Sequence, residues 1–341
     1  GDSPLAYPGL LATTADKSYD DTNALANTPY YYYLRAANAN GISAFSLPHS
    51  GYRGAGGALN DYDGDARSDL AVFDSATGCW YARKAAAPGV ILWGAQWGGA
   101  GAGPVPGDYD GDRVGDLVVY EPATGLWYGW SAATASVLAW GKSWGFPGAL
   151  PVYGDYDADR KSDLAVYDRA NAAWYVTTLS DSVLAWAEPW GLPGAVPVPG
   201  DYDGDRVNDL AVYDGSAGTW YIKTLGGALL AWAEPFGFTG AVSVPGDYDG
   251  DFVSDLALLD SATGAWYIRT AAGALIAWGT PWGWPGAAAV PGDYDGDMKD
   301  DLAVFDGSTG NWYVRPVADS AIIAWQENWG RPGAIAPGER K

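Results

Sequence analysis

The chain has 341 residues, 48 % of them hydrophobic and 19 of them Trp, and it carries 41 Asp and Glu against 19 Lys and Arg, a formal net charge of -22. That apolar content excludes a disordered polar chain, and the acidic excess repels phosphate backbones, so no nucleic acid partner is expected. Every apolar run falls short of the 18 residues that would mark a membrane-spanning helix, so no membrane insertion is expected either. The single cysteine, Cys79, excludes an internal disulfide. The single histidine, His49, removes most routes to acid–base catalysis, and no enzymatic activity is expected. Gly1 is followed by no signal-peptide pattern, as expected of a processed or excised piece of a longer protein.

Residues 1–52 form a first module without any aspartate-rich loop. Upstream in this module, Leu10 to Thr22 resembles the strand and turn that precede the last two strands of a fibronectin type III domain. His49 falls in a Pro-His-Ser turn, where a surface position is expected. The segment from Pro29 to Ser46 resembles the last two strands of a fibronectin type III domain. Such a sandwich needs about 100 residues and seven strands, so only its C-terminal half is present. A half-sandwich leaves strand edges open. Either the missing strands were cut away or another chain donates them, which would allow a homo-oligomer or filament through residues 1–50.

Residues 53–341 are organised by a repeat. The tract Asp-Tyr-Asp-x-Asp-x-x-x-Asp-Leu begins at Asp61, Asp108, Asp155, Asp201, Asp247 and Asp293, every 46 or 47 residues. After each tract come an apolar run, a small-residue turn, a Trp-Tyr pair, a second apolar run ending in Trp, an aromatic-Gly turn, and a Pro-Gly-rich linker. Four strand-like segments per unit, with Gly, Pro and Asp between them, fit one blade of a β-propeller. Six units give an all-β fold, a six-bladed propeller of four-stranded blades beside a small partial β-sandwich. Two segments compete to close the ring: Gly54 to Asn60, or the C-terminal Pro332 to Gly338.

Within each tract, carboxylates stand at positions 1, 3, 5 and 9. At about 5 Å separation and an effective dielectric of 20–80, each pair repels by roughly 1–3 kcal/mol. A bound hard cation removes that cost, and alternating oxygen ligands along a tight turn, with a backbone carbonyl at position 7, are how Ca²⁺ is taken by EF-hand loops. The expected sets are Asp61, Asp63, Asp65 and Asp69 with the carbonyl of Arg67; Asp108, Asp110, Asp112 and Asp116 with Val114; and Asp155, Asp157, Asp159 and Asp163 with Lys161. The other three are Asp201, Asp203, Asp205 and Asp209 with Val207; Asp247, Asp249, Asp251 and Asp255 with Val253; and Asp293, Asp295, Asp297 and Asp301 with Lys299. Asp also forms turns by bonding its own backbone, which accounts for one or two per turn but not four at fixed spacing six times over. These loops hold 24 of the 41 acidic residues, and the remaining 17 nearly balance the 19 basic ones.

The run Gly200-Asp201-Tyr202-Asp203-Gly204-Asp205, with Asp209-Leu210-Ala211-Val212-Tyr213 and Trp220-Tyr221-Ile222, resembles the FG-GAP/VCBS-type repeats of secreted bacterial proteins. These are related to the calcium-bearing blades of integrin α-subunit propellers. The resemblance implies one Ca²⁺ per blade, an extracellular or cell-surface location, and a role in adhesion or in recognition of a protein or glycan ligand. Position 6 departs from the Gly often found there: it is Ala66, Arg113, Arg160, Arg206, Phe252 and Met298. A left-handed backbone at that position would cost a side chain about 1–2 kcal/mol.

The tryptophans fall into three registers. Packing between blades is expected of the first (Trp80, Trp127, Trp174, Trp220, Trp266, Trp312) and of the second (Trp93, Trp140, Trp186, Trp232, Trp278, Trp325). For the third (Trp97, Trp144, Trp190, Phe236, Trp282, Trp329), packing and sugar stacking stand level. Trp130 and Trp284 lie outside all three and mark a candidate local binding surface.

Overall fold

The computed structural model describes residues 58–318 and 321–340, together with the backbone of four short strands earlier in the chain. The chain divides into two compact units, Gly1–Gly56 and Gly57–Lys341. In the first, Tyr30–Tyr32 pairs antiparallel with His49–Gly51, and Ala37–Asn38 pairs with Gly41–Ile42. The second pairing lies within the sequence span of the first, and the remaining residues of the expected Pro29 to Ser46 hairpin lie outside the described residues. His49, expected in a turn, is instead a strand residue opposite Tyr32. The upstream strand expected at Leu10 to Thr22 lies outside the described residues, as do Gly54 to Gly57.

The second unit is a six-bladed β-propeller. Blades 2 to 6 are four-stranded antiparallel sheets in which strands pair in chain order. Blade 3 shows the plan: Leu150–Val152, Leu164–Asp168, Ala173–Thr177 and Val183–Pro189. The second strand of each blade is buried on both faces, as at Leu210–Asp214, because a neighbouring blade covers each side. Hence its residues form an unbroken apolar run where a half-exposed strand would alternate. The third strand does alternate, as at Ala265–Arg269. Its first-register Trp points inward: all six are fully buried, and each donates its indole N–H to the carbonyl of the third-register aromatic in its own blade at 2.6–3.0 Å.

The core is distributed among the blade junctions. Val152, Tyr167 and Trp174 of blade 3, for example, pack with Leu210 and Val212 of blade 4. At the ring seam, Phe305, Trp312 and Val314 of blade 6 pack with Leu70 and Val72 of blade 1, and with Ala334 and Ala336 from the end of the chain.

Closure is made by the C-terminal linker. Blade 1 has three regular strands, Asp69–Asp74, Cys79–Lys84 and Val90–Gln96. Ile335 bridges antiparallel to Phe73 through two backbone bonds of 2.8 and 2.9 Å, and so stands where the other blades have their first strand. Asn60 then donates its side-chain amide to the carbonyl of Pro337 at 3.0 Å. Beyond it, Arg340 exchanges backbone bonds with Ala289 on the first strand of blade 6. The Arg340 guanidinium meanwhile donates to the carbonyl of Pro197 in blade 4 and lies over the ring of Tyr153 in blade 3. The last residues thus tie blades 1, 3, 4 and 6 together.

Deleting residues 332–341 removes those backbone bonds and uncovers the seam. At about 1 kcal/mol per bond plus the lost apolar burial, a destabilisation of roughly 4–6 kcal/mol is expected. The urea midpoint of the truncated chain checks it.

Candidate metal centres in the aspartate loops

Each aspartate tract is the loop between the first and second strands of its blade. Its neck is closed by the amide of the position-9 Asp, which donates to the carbonyl of the residue before position 1, as from Asp209 to Gly200 at 2.7 Å. Within the loop the side chains order the backbone. One oxygen of the position-1 Asp accepts from the amide of position 4 at 2.5–2.8 Å. Its other oxygen accepts from position 6 at 2.7–2.8 Å. The position-5 Asp takes the amide of position 7, at Arg67, Val114, Lys161, Val207, Val253 and Lys299. One oxygen of the position-9 Asp takes the amide of the position-2 Tyr.

The left-handed backbone considered for position 6 is present in all six loops, with φ of 65° at Ala66, 73° at Arg113, 68° at Arg160, 71° at Arg206, 67° at Phe252 and 69° at Met298. The strain is offset by the bond that each of these amides makes to the position-1 carboxylate. A loop so wound draws its acids together. Three carboxylate oxygens come within 4.8 Å of one another in the sets Asp61, Asp63 and Asp69; Asp108, Asp110 and Asp116; Asp155, Asp157 and Asp163; Asp201, Asp203 and Asp209; and Asp247, Asp249 and Asp251.

The loops are also joined to one another. The amide of position 8 (Ser68, Gly115, Ser162, Asn208, Ser254, Asp300) donates to the carbonyl of the position-1 Asp in the preceding blade at 2.5–2.6 Å, six times in a closed circle. Spacing did not reveal position 8 as functional, although a small or polar residue occupies it in every copy. Its side chain lies against the residue before position 1 of that preceding loop. There a Cβ on Gly107, Gly154, Gly200, Gly246 or Gly292 would collide with Ser162, Asn208, Ser254, Asp300 or Ser68. Loop 1 inverts the residue types: Asn60 stands where the others have Gly, and the position-8 residue donating to Asp61 is Gly115.

Burial sets the electrostatics. The position-9 acids are almost wholly inaccessible. Desolvation pushes Asp69, Asp116 and Asp301 up to about 8 and Asp163, Asp209 and Asp255 up to about 7, with their own loop acids adding to the rise and the Tyr amide opposing it. Asp61 and Asp293 rise to about 6 for the same leading reason. The second oxygens of Asp116 and Asp209 are buried with no hydrogen-bond partner. An unpaired carboxylate oxygen facing further carboxylates is the donor set of a hard cation, so the residues present fit Ca²⁺. Loop 1 carries a cation against two of its acids: the Lys84 ammonium lies 2.5 Å from Asp63 and 2.9 Å from Asp65.

Away from the loops, the second Trp register departs from expectation. Its six rings are 60–73 % exposed. A residue with φ of 53–67° follows each Trp, at a shift in the register between third and fourth strands, and turns the ring outward. Each ring stands edge-on against the Tyr of its own blade, as Trp93 on Tyr81 at 5.5 Å. Third-register rings lie at the blade junctions, as Trp97 beside Trp140 at 5.7 Å. Trp130 and Trp284 form no separate patch, since Trp130 covers Trp97 and Trp284 packs on Tyr313 of the next blade. Cys79 is partly buried.

The raised acids fix a pH response for the metal-free chain. A carboxyl whose folded value lies near 7–8, against 3.8 ordinarily, keeps its proton in the fold after the unfolded chain has lost it. The stability it lends is complete below about pH 4 and is lost as pH rises through 7–8. In chelator, the melting temperature should therefore fall from pH 5 to pH 8. Asp116→Asn, whose amide oxygen still accepts from Tyr109, should flatten the slope. Calorimetry across that range is the check.

No protein-family model matches the chain, and no curated protein matches it. Among solved structures it is similar to the crystal structure of BBS1N in complex with ARL6DN, soaked with lead, at 13 % identity over 76 % of this chain and 77 % of that chain, with a TM-score of 0.42.

Proposed function

We propose that the propeller is a Ca²⁺-loaded recognition module of a secreted or cell-surface protein, binding one ion in each aspartate loop and acting in adhesion or ligand recognition without catalysis. The observation that carries the metal assignment is the pair of buried, unpartnered oxygens of Asp116 and Asp209 within repeated acid sets. Positions 1, 3, 5 and 9 supply carboxylates, and position 7 offers its carbonyl. The ion would neutralise charge that the fold otherwise confines. Filling six sites would also lower the net charge from -22 to about -10.

An extracellular setting suits such loops, because calcium there is abundant enough to fill sites of modest affinity. The recognition role is supported by the six exposed Trp rings, which put a large aromatic area on the outside of a rigid scaffold. Apolar area of that extent is a feature of binding surfaces. A protein or glycan is the ligand class in keeping with it.

Isothermal titration of chelator-stripped protein should give about six Ca²⁺ per chain, and five for Asp116→Asn. Replacing Lys84 with Met should tighten the first loop, whose acids it neutralises in part. Calcium at 100 times the dissociation constant adds roughly 2.7 kcal/mol per site, so chelation should lower the melting temperature by many degrees. An unchanged melting temperature would refute the assignment.

A further inference from the structure

The six blade junctions are built to one plan, and one of them departs from it. At each junction the third-register aromatic of one blade meets the third strand of the next. Two residues beyond the Tyr on that strand, on the same face, stand Arg83, Trp130, Thr177, Lys223, Arg269 and Arg315. Four of these are cations that cover the aromatic ring. Arg83 lies 5.6 Å from the centre of Trp329, Lys223 5.2 Å from Trp190, Arg269 4.8 Å from Phe236, and Arg315 5.5 Å from Trp282. In the fifth, Trp130 covers Trp97 at 5.3 Å.

Blade 3 has Thr177 at this position, and its hydroxyl is turned to the carbonyl of Ser182. Among the described residues no cation lies over Trp144. A cavity of about 360 Å³ is found at this junction, lined by Ser143, Trp144, Phe146, Val166, Tyr175 and Trp186 among others. Trp144 and Trp186 meet at 5.6 Å, and Phe146 and Tyr175 at 5.5 Å, so two pairs of rings wall it. Lys142, in line with Glu188, Glu234 and Glu327 of other blades, does not line this cavity. Its ammonium is tied at 2.7 Å to both Asp181 and the carbonyl of Leu179.

The chain itself shows what this aromatic box accepts. In three copies out of six the occupant is a guanidinium and in one an ammonium, each held over the ring by cation–π attraction, which strengthens as water is excluded. We infer that the junction between blades 2 and 3 is a binding site for an arginine or lysine side chain presented by a partner protein, which enters where Thr177 leaves the ring uncovered. Charge complementarity favours such a partner, since the chain is strongly acidic and remains so with its loops filled.

The test uses the full chain in calcium, with N-acetyl-arginine amide as the probe and tryptophan fluorescence and isothermal titration as readouts. One saturable site is expected. Thr177→Arg, which fills the box from within, should abolish binding while leaving the melting temperature equal or higher. Trp186→Ala, at an exposed ring, should weaken binding at least tenfold. Trp278→Ala, at a junction already filled by Arg269, should leave it unchanged. No saturable binding, or binding that survives Thr177→Arg, would overturn the inference. Tighter binding of choline than of the arginine probe would overturn the protein-partner assignment. Equal binding of the uncharged choline analogue 3,3-dimethylbutanol, or of a methyl glycoside, would show that positive charge is not what is recognised.

Discussion

The fold depends on the circle of six backbone bonds that links each aspartate loop to the next. Every position-1 carbonyl is engaged by the neighbouring blade, so a loop cannot relax away from its own carboxylates without breaking contact with two neighbours. The acids are held at close quarters by geometry, although their charges oppose it. Blade packing supplies the enthalpy and apolar burial that permit this, and the loops return a rigid rim around the axis. A cation bound at one loop, as proposed, would therefore be mechanically linked to the two beside it, even though no carboxylate is shared among the six expected sets.

Much of this was legible in the chain. Loop positions 1, 3, 5 and 9 repeat without exception, and a period of 46 or 47 residues with four strand-like segments left little freedom in the architecture. The first Trp register was legible as core because a Trp-Tyr pair on an alternating strand must send one ring inward, and the Trp has a carbonyl waiting for its N–H. Three things escaped. The outward turn of the second register depends on a bulge whose left-handed residue is Gly in some blades and Ala or Gln in others, so composition did not announce it. Loop 1 has Asn60 where the other loops have Gly, and the position-8 residue that reaches loop 1 is Gly115, which lies against Asp61 and Tyr62; an exchange between residues 55 positions apart is meaningless until the loops are known to touch. Both candidates for ring closure were versions of the same linker, Gly54 to Asn60 a degenerate one, and the pairing of Ile335 with Phe73 decides for the C-terminal segment.

The aromatic residues divide the labour by depth. The position-2 Tyr side chains beside the aspartate loops are buried and raised far above the ordinary tyrosine range by desolvation, so they serve as neutral packing. The first Trp register fills the middle of each blade. Toward the outside, packing gives way to rings that stand edge-on with one face in water, steadied by Tyr and bordered by Arg, Lys and Glu. Exact repetition would make six equivalent surfaces. Substitutions at the covering position of the third strand break that equivalence while leaving the core untouched, so differences among the junctions are not needed for folding.

The seam has a bearing on how the chain is made. Asn60 and Pro337, which meet across it, are 277 residues apart. While the chain emerges from its N-terminus, the edge of the second strand of blade 1 that Ile335 will cover waits unpaired until the linker near Ile335 has been released. Contacts of such long range are slow to form. An open strand edge is a site where a second nascent chain can add. Conditions that slow synthesis or crowd ribosomes on one message would lengthen the life of that unfinished blade and favour chains joined at its edge over closed rings.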